Sequence, residues 1–209
     1  MSSFVSSTDI GMEQIAREGA LILIDQINDE LAVTDAFWQQ MDIDLAAAQG
    51  ITYYECISDQ VESRNVHPGH RPSFIERGAE DYPNINVMSF QSNPSGFSNY
   101  DQGEDVSVTF YIEFMVKSGP FEPDPEGKFI EEGEILVNKR AQRMGETIHR
   151  IISGNKTLNG LISGFEGAPS VKYTDCMRRT DTTSGGEYDY YWSMGRIEYK
   201  VSREINTYY

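Results

Sequence analysis

The stretch Val106–Lys117 constrains this chain more than any other. Val106, Val108, Phe110, Ile112, Phe114 and Val116 alternate there with Ser107, Thr109, Tyr111, Glu113, Met115 and Lys117. A period of two over such a length predicts a β-strand with one face buried and the other largely polar. Burying six such side chains is worth on the order of 10 kcal/mol before the entropy of ordering is subtracted. A slip of one residue would put all six in water, so the register is strongly set.

Helical periodicity flanks this strand. Ile15, Ala16, Ala20, Leu23, Ile24, Ile27 and Leu31 recur at three- and four-residue steps and predict a helix over Asp9–Leu31, with Asp9 as N-cap. A second helical piece is expected over Asp35–Ala48, with Phe37, Trp38, Met41 and Leu45 inward. Strands are expected at Ile51–Ile57 and Asn84–Phe90, with a long loop over Ser58–Pro83 between them. A loop rich in Pro and Gly follows at Ser118–Phe129.

The second main helix is predicted over Glu131–Ser153. Val137, Ala141, Met144, Ile148 and Ile151 form its apolar stripe, acids fill its first turn, and Gly154-Asn155 stops it. Gly160–Gly167 turns the chain back. A strand at Val171–Met177, a polar loop at Arg178–Asp189 and a final strand at Tyr190–Arg203 complete the reading. The apolar phase of that last strand changes at Gly195-Arg196, which predicts a β-bulge. The order helix, strands, helix, strands implies one α+β domain over 1–209. Its expected form is a mainly antiparallel sheet with two principal helices on one face and long loops, with flexible ends at about 1–8 and 204–209.

Composition narrows the class. With 39% hydrophobic and 24% charged residues, a chain of 209 residues can build its own core. No apolar run is long enough for a membrane span, and Met1–Ser7 lacks the features of a secretory leader, so a cytoplasmic site of synthesis is expected. Cys56 and Cys176 are expected to be buried thiols rather than a disulfide. The net charge is −16, and residues 1–130 carry all of the excess, with 22 acids against 6 bases; residues 131–209 hold 11 of each. Such a balance disfavours a surface that grips nucleic acid or anionic membrane.

Candidate chemistry is sparse. His67 and His70 flank Pro68-Gly69 and could offer two metal ligands, but zinc needs three or four, and His149 lies far off on a helix. The close carboxylates Asp42/Asp44, Glu104/Asp105 and Glu131/Glu132 read as solvated. Nucleophile and phosphate-loop signatures are missing, and Gly160–Gly167 lacks the Lys-Ser/Thr of a P-loop. Tyr188, Tyr190, Tyr191, Trp192 and Tyr199 form a dense aromatic group that suits packing or a subunit interface better than base stacking. The expectation is a protein with no catalytic residues, no metal and no cofactor.

Two short segments carry a resemblance. One is Asn155, Leu158, Gly160 and Ile162 after the second helix; the other is Gly195, Ile197, Tyr199 and Val201 in the last strand. With the helix–strand order, they resemble the tail terminator and head–tail connector (neck) proteins of long-tailed bacteriophages, over roughly Asp9 to Arg203. The resemblance implies a structural virion protein assembled in the host cytoplasm. It would form a homo-oligomeric ring, commonly a hexamer, at the head-proximal end of the tail. That ring would stop tail-tube polymerisation and meet the tube protein on one side and a neck or head-completion protein on the other. Viral DNA would pass through the lumen without sequence-specific binding. Subunit contacts are expected at Lys139, Arg143 and Arg150, which fall opposite the apolar stripe of their helix, and at Pro120, Pro123 and Pro125. Three other readings are open: a different neck or tail-tube adaptor, a small metal-dependent hydrolase using His67 and His70, and a monomeric module presenting the 58–82 loop.

Overall fold

The computed structural model describes residues 7–53, 55–69, 82–91, 104–121, 128–183 and 186–205. Helix α1 spans Ser7–Gln49 and helix α2 spans Lys128–Gly154. A 3-10 turn at Ser63–Asn65 leads into β1 (Val66–Pro68). The remaining strands are β2 (Asn84–Gln91), β3 (Glu104–Phe121), β4 (Gly164–Phe165), β5 (Ser170–Tyr173), β6 (Met177–Thr183) and β7 (Gly186–Ile205). These make a seven-stranded mixed sheet in the order β1-β2-β3-β7-β4, with β5 and β6 also on β7. Among the described residues only β1–β2 is parallel. The fold is α+β, as the element order implies.

The alternation in β3 settles the core. Val108, Phe110, Ile112, Phe114 and Val116 are all buried, and they meet the predicted stripe of α2, where Val137, Ala141, Met144, Ile148 and Ile151 are buried too. The first half of α1 adds Ile15, Leu23, Ile27 and Leu31 to the same cluster. The face of β3 away from the helices is less polar than its sequence suggests, because Met115 is buried and Tyr111 and Lys117 are half-covered.

Several expectations need correction. The two pieces expected at Asp9–Leu31 and Asp35–Ala48 are one continuous helix, since no proline or glycine interrupts residues 20–49. Phe37, Met41 and Leu45 are not inward: they are 59%, 49% and 54% exposed. The described residues among 51–57 form no strand, and Ile51 and Ile57 are exposed. Asn28 holds the chain beyond them to α1 through a pair of hydrogen bonds with the Val61 backbone, 2.8 and 3.0 Å long. The loop expected at 58–83 contains β1. The polar loop expected at 178–189 is largely a hairpin, in which β6 pairs with β7 from Met177↔Trp192 to Thr183↔Gly186.

No bulge lies at Gly195-Arg196. The β3–β7 register runs unbroken through Phe114↔Gly195 and Glu113↔Arg196, and shifts only between Ser118 and Phe121. The residues of β7 facing the helices are Tyr191, Ser193, Gly195, Ile197, Tyr199 and Val201, so Trp192 and Met194 lie on the other face. Gly195 is required by contact: a Cβ there would sit 2.1 Å from Cζ of Phe114. Position 195 gives up its side chain so that the Phe114 ring can occupy the space, and the apolar phase changes in sequence only because two core positions hold Ser193 and Gly195.

Candidate functional site

The basic side of α2 does not point away from its own subunit. It is turned onto the second half of α1, where acids at positions 30, 35 and 42 face it. Arg143 is 4% exposed at its side chain; its Nη1 donates to Asp35 Oδ1 (2.9 Å) and to the Cys56 carbonyl (2.5 Å), and its Nη2 donates to Asp42 Oδ2 (2.7 Å). Lys139 Nζ reaches the same Asp42 oxygen at 3.0 Å. Burial works against the Arg143 charge, but the hydrogen bond it donates to Asp35 and the nearby negative charges, Asp35 and Asp42 among them, outweigh it and raise its pKa. Asp35 also accepts from the Ser58 backbone N–H and hydroxyl, so one carboxylate ties α1, α2 and the 51–58 connection together.

A second node lies about two turns further along α2, at Arg150. Arg150 Nη2 donates to the Glu30 carbonyl (2.9 Å) and to Thr34 Oγ1 (2.8 Å), and pairs with the Glu30 carboxylate at 2.8 Å. The Thr34 hydroxyl donates to the Glu30 carbonyl, so Thr147 donates to Thr34 across the helix pair at 2.7 Å. Trp38 Nε1 donates to Glu146 at 2.6 Å. Arg143, expected to point to solvent or a neighbour, is instead buried against acids of the same chain, whereas Lys139 and Arg150 pair with acids of the same chain and keep 29% and 41% of their side chains exposed. Asp42, read as solvated, is the shared acceptor of this network. Pro123 and Pro125 lie outside the described residues, and Pro120 falls near the end of β3.

Asp35 and Asp42 are the residues that sequence reasoning missed. Their seven-residue spacing puts them on one face of a helix, and Arg143 and Arg150 repeat that spacing on α2. The acids along that face of α1 and the bases along one side of α2 were the available signal, although Arg143 takes both aspartates and Arg150 pairs with Glu30.

The outer side of the second half of α1 is apolar. Val33, Phe37, Met41 and Leu45 follow at four-residue steps and are 55%, 59%, 49% and 54% exposed. On a wheel of about 100° per residue, Val33, Phe37 and Met41 fall at the same angles as the buried Ile15, Gly19 and Leu23. The face that α1 buries against β2 thus continues past the sheet, and α2 takes up only the neighbouring face.

The sheet surface away from the helices carries a row of polar groups. Register places His67, Asn86, Glu113, Arg196 and Lys172 side by side across β1, β2, β3, β7 and β5. Arg196 lies 3.9 Å over the Tyr111 ring and 3.6 Å from Glu113. Lys172 stands directly opposite Arg196, a like-charge pairing that strands avoid unless an acid intervenes.

The two segments behind the family resemblance pack on each other. Leu158, Asn159 and Gly160 take successive positive φ angles of 43°, 55° and 85°, which turn the chain tightly and drive Leu158 and Ile162 into the core. Strand β4 then pairs with β7 at Phe165↔Val201, and Phe165 lies 5.2 Å from Tyr199 ring to ring. Burial pushes the Tyr199 phenol well above its ordinary pKa, and its oxygen lies 3.1 Å from His149 Nδ1.

His70 lies outside the described residues. Among those described, no group of three or more His, Cys, Asp or Glu side chains gathers as metal ligands would. Cys56 is buried, Cys176 is half-buried with its thiol pushed up to about 11 by burial, and both are free. Among the described residues no helix is long and apolar enough to cross a membrane. No family model matches the chain, and no curated protein matches it significantly.

Proposed function

We propose that this chain is a structural subunit that assembles into a ring at the head-proximal end of a phage tail. There it terminates growth of the tail tube and joins the tail to the neck or head. The observation that carries this reading is the fit between the two resembling segments and the fold. Asn155–Ile162 and Gly195–Val201 are unrelated in sequence position, yet they form one packed unit through the positive-φ turn, β4 and Tyr199. Asn155 itself closes α2, with its backbone N–H and side-chain amide both donating to the Ile151 carbonyl.

A second support is the distribution of exposed groups. The helix pair is internally cross-linked by ions, while large apolar side chains lie on the outside of α1. A protein that works by joining copies and neighbours needs a rigid body with apolar patches more than it needs a cleft. In this reading the subunit is made in the host cytoplasm and ends in the virion. Its partners are further copies of itself, the tube protein and a neck or head-completion protein, and the acidic surface lets DNA pass without being held.

Electron microscopy of tail tubes assembled with and without the chain tests this. Capped tubes of uniform length, with a ring of this protein at one end, are expected. Tubes that neither bind the protein nor change in length would contradict the proposal.

A further inference from the structure

The exposed surface on the second half of α1 is almost wholly apolar. Of the residues exposed between positions 32 and 48, only Gln40 and Asp44 are polar. Apolar residues exposed one at a time are ordinary, but a contiguous patch marks a place where something docks. We infer that this face takes an amphipathic helical segment of a different protein, one that carries lysine or arginine beside its own apolar stripe. The inference goes beyond the ring reading and does not depend on it.

The shape of the face suits a helix. Asp25, Asp29, Val33, Phe37, Met41 and Leu45 follow one another at four-residue steps, and all six are exposed. Residues so spaced form one ridge, and a second helix packs by laying its side chains along such a ridge. The apolar part, from Val33 to Leu45, is about 18 Å long at about 1.5 Å per residue. At its end the ridge meets a cavity of about 500 Å³, whose lining includes Leu45, Ala46, Ile51, Tyr53 and Ile135. Its polar side is the ion pair of Asp42 with Lys139, already closed within the chain. The cavity gives a large apolar side chain of the docked segment a place to anchor.

Charge decides what that segment is. Residues 7–49 hold nine acids and one base, and the base, Arg17, pairs with Glu13. Arg150, Arg143 and Lys139 of α2 neutralise Glu30, Asp35 and Asp42. Asp25 and Asp29, which head the ridge, and Asp44, which flanks Met41, have no ion-pair partner among the described residues. The charge left on this face is therefore negative. A second copy would bring the same acids and the same net charge of −16, with no base along its own ridge to answer them. An anionic membrane is repelled in the same way. A basic amphipathic helix satisfies the ridge and the acids together.

A synthetic helical peptide of leucine and lysine is the probe, with a leucine–glutamate counterpart as its control. Binding to the purified full chain is read by fluorescence anisotropy. The lysine peptide should bind and the glutamate peptide should not. Phe37→Ser with Met41→Ser should weaken binding at least about tenfold. Asp25→Lys with Asp29→Lys should weaken it about tenfold as well, while the same charge change at the exposed Glu166 and Asp175, in the segments that follow β4 and β5, should leave it unchanged. All of these positions except those of the serine changes test charge alone, and every one is exposed, so circular dichroism should match that of the parent. Equal losses from the two lysine pairs would reduce the binding to unspecific attraction and overturn the inference, as would binding that survives the serine changes. Sedimentation of the chain alone checks the other occupant: self-association that the serine changes abolish would assign the face to a second copy and would overturn the inference too.

Discussion

The two halves of α1 have similar sequences and opposite fates. Ile15, Leu23 and Ile27 in the first half are buried against the sheet, while Val33, Phe37 and Met41 in the second carry the same kind of stripe into solvent. The sheet ends before the helix does: 43 residues make a helix of roughly 65 Å. The first half is held by apolar burial. The second is held sideways, by Arg143 and Arg150 of α2 pairing with its acids and by its Thr34 and Trp38 bonding to Thr147 and Glu146 of α2. An apolar stripe therefore shows that a helical period is obeyed, but not that the chain itself buries that face.

The comparison can be broken most forcefully from below. Phe114→Ala removes a ring that is fully buried over Gly195 and should cost about 3–5 kcal/mol in chemical unfolding. A loss under about 1 kcal/mol would show that the sheet face under the helices is not the shared core. The sideways tether comes next. Arg143→Ala strands Asp35 and Asp42, which are 16% and 17% exposed, and should cost about 3 kcal/mol. Hydrogen exchange should then rise across residues 33–49 more than across 15–31. Equal rises in both halves would mean that the ions do not hold the second half selectively.

Gly195→Ala should cost about 1–3 kcal/mol, because the new methyl meets the Phe114 ring rather than a movable chain end. Tyr199 gives a smaller, pH-dependent effect. Burial raises its pKa in the folded state, so its contribution is complete below the unfolded value near ~10 and is lost as pH climbs toward the folded value. Stability should fall with rising pH above about 10, and Tyr199→Phe should flatten that fall. An unchanged slope would mean that other groups set the alkaline limit.

What the sequence made legible follows the same division. The strand over Val106–Lys117 and the stripe of α2 were readable because each buries its pattern within the chain. The first half of α1 was readable for the same reason. Its second half was not, since Phe37 and Met41 obey the helical period and periodicity contains no statement about where the sheet stops. In β7 the failure was local: Ser193 and Gly195 occupy core positions, so Trp192 and Met194 took over the apolar phase and suggested a bulge. At 51–57 an apolar run satisfied the strand pattern, yet among the described residues no strand pairs with it. The interhelical ion site was visible only as acids along one helix and bases along another, and the partners were not: Arg143 takes both Asp35 and Asp42, and Arg150 takes Glu30. A single-helix wheel places Arg143 opposite the stripe, and only the packing of α1 across that side turns it inward.

The most direct test of the division within α1 compares Leu23→Ala with the pair Phe37→Ala and Met41→Ala by chemical unfolding of the dilute chain. Leu23 is fully buried and should cost about 3 kcal/mol, whereas the two outer changes should each stay within about 0.5 kcal/mol of the parent. A loss at Phe37 or Met41 comparable to that at Leu23 would mean that the second half of α1 packs into its own subunit, and it would contradict the account.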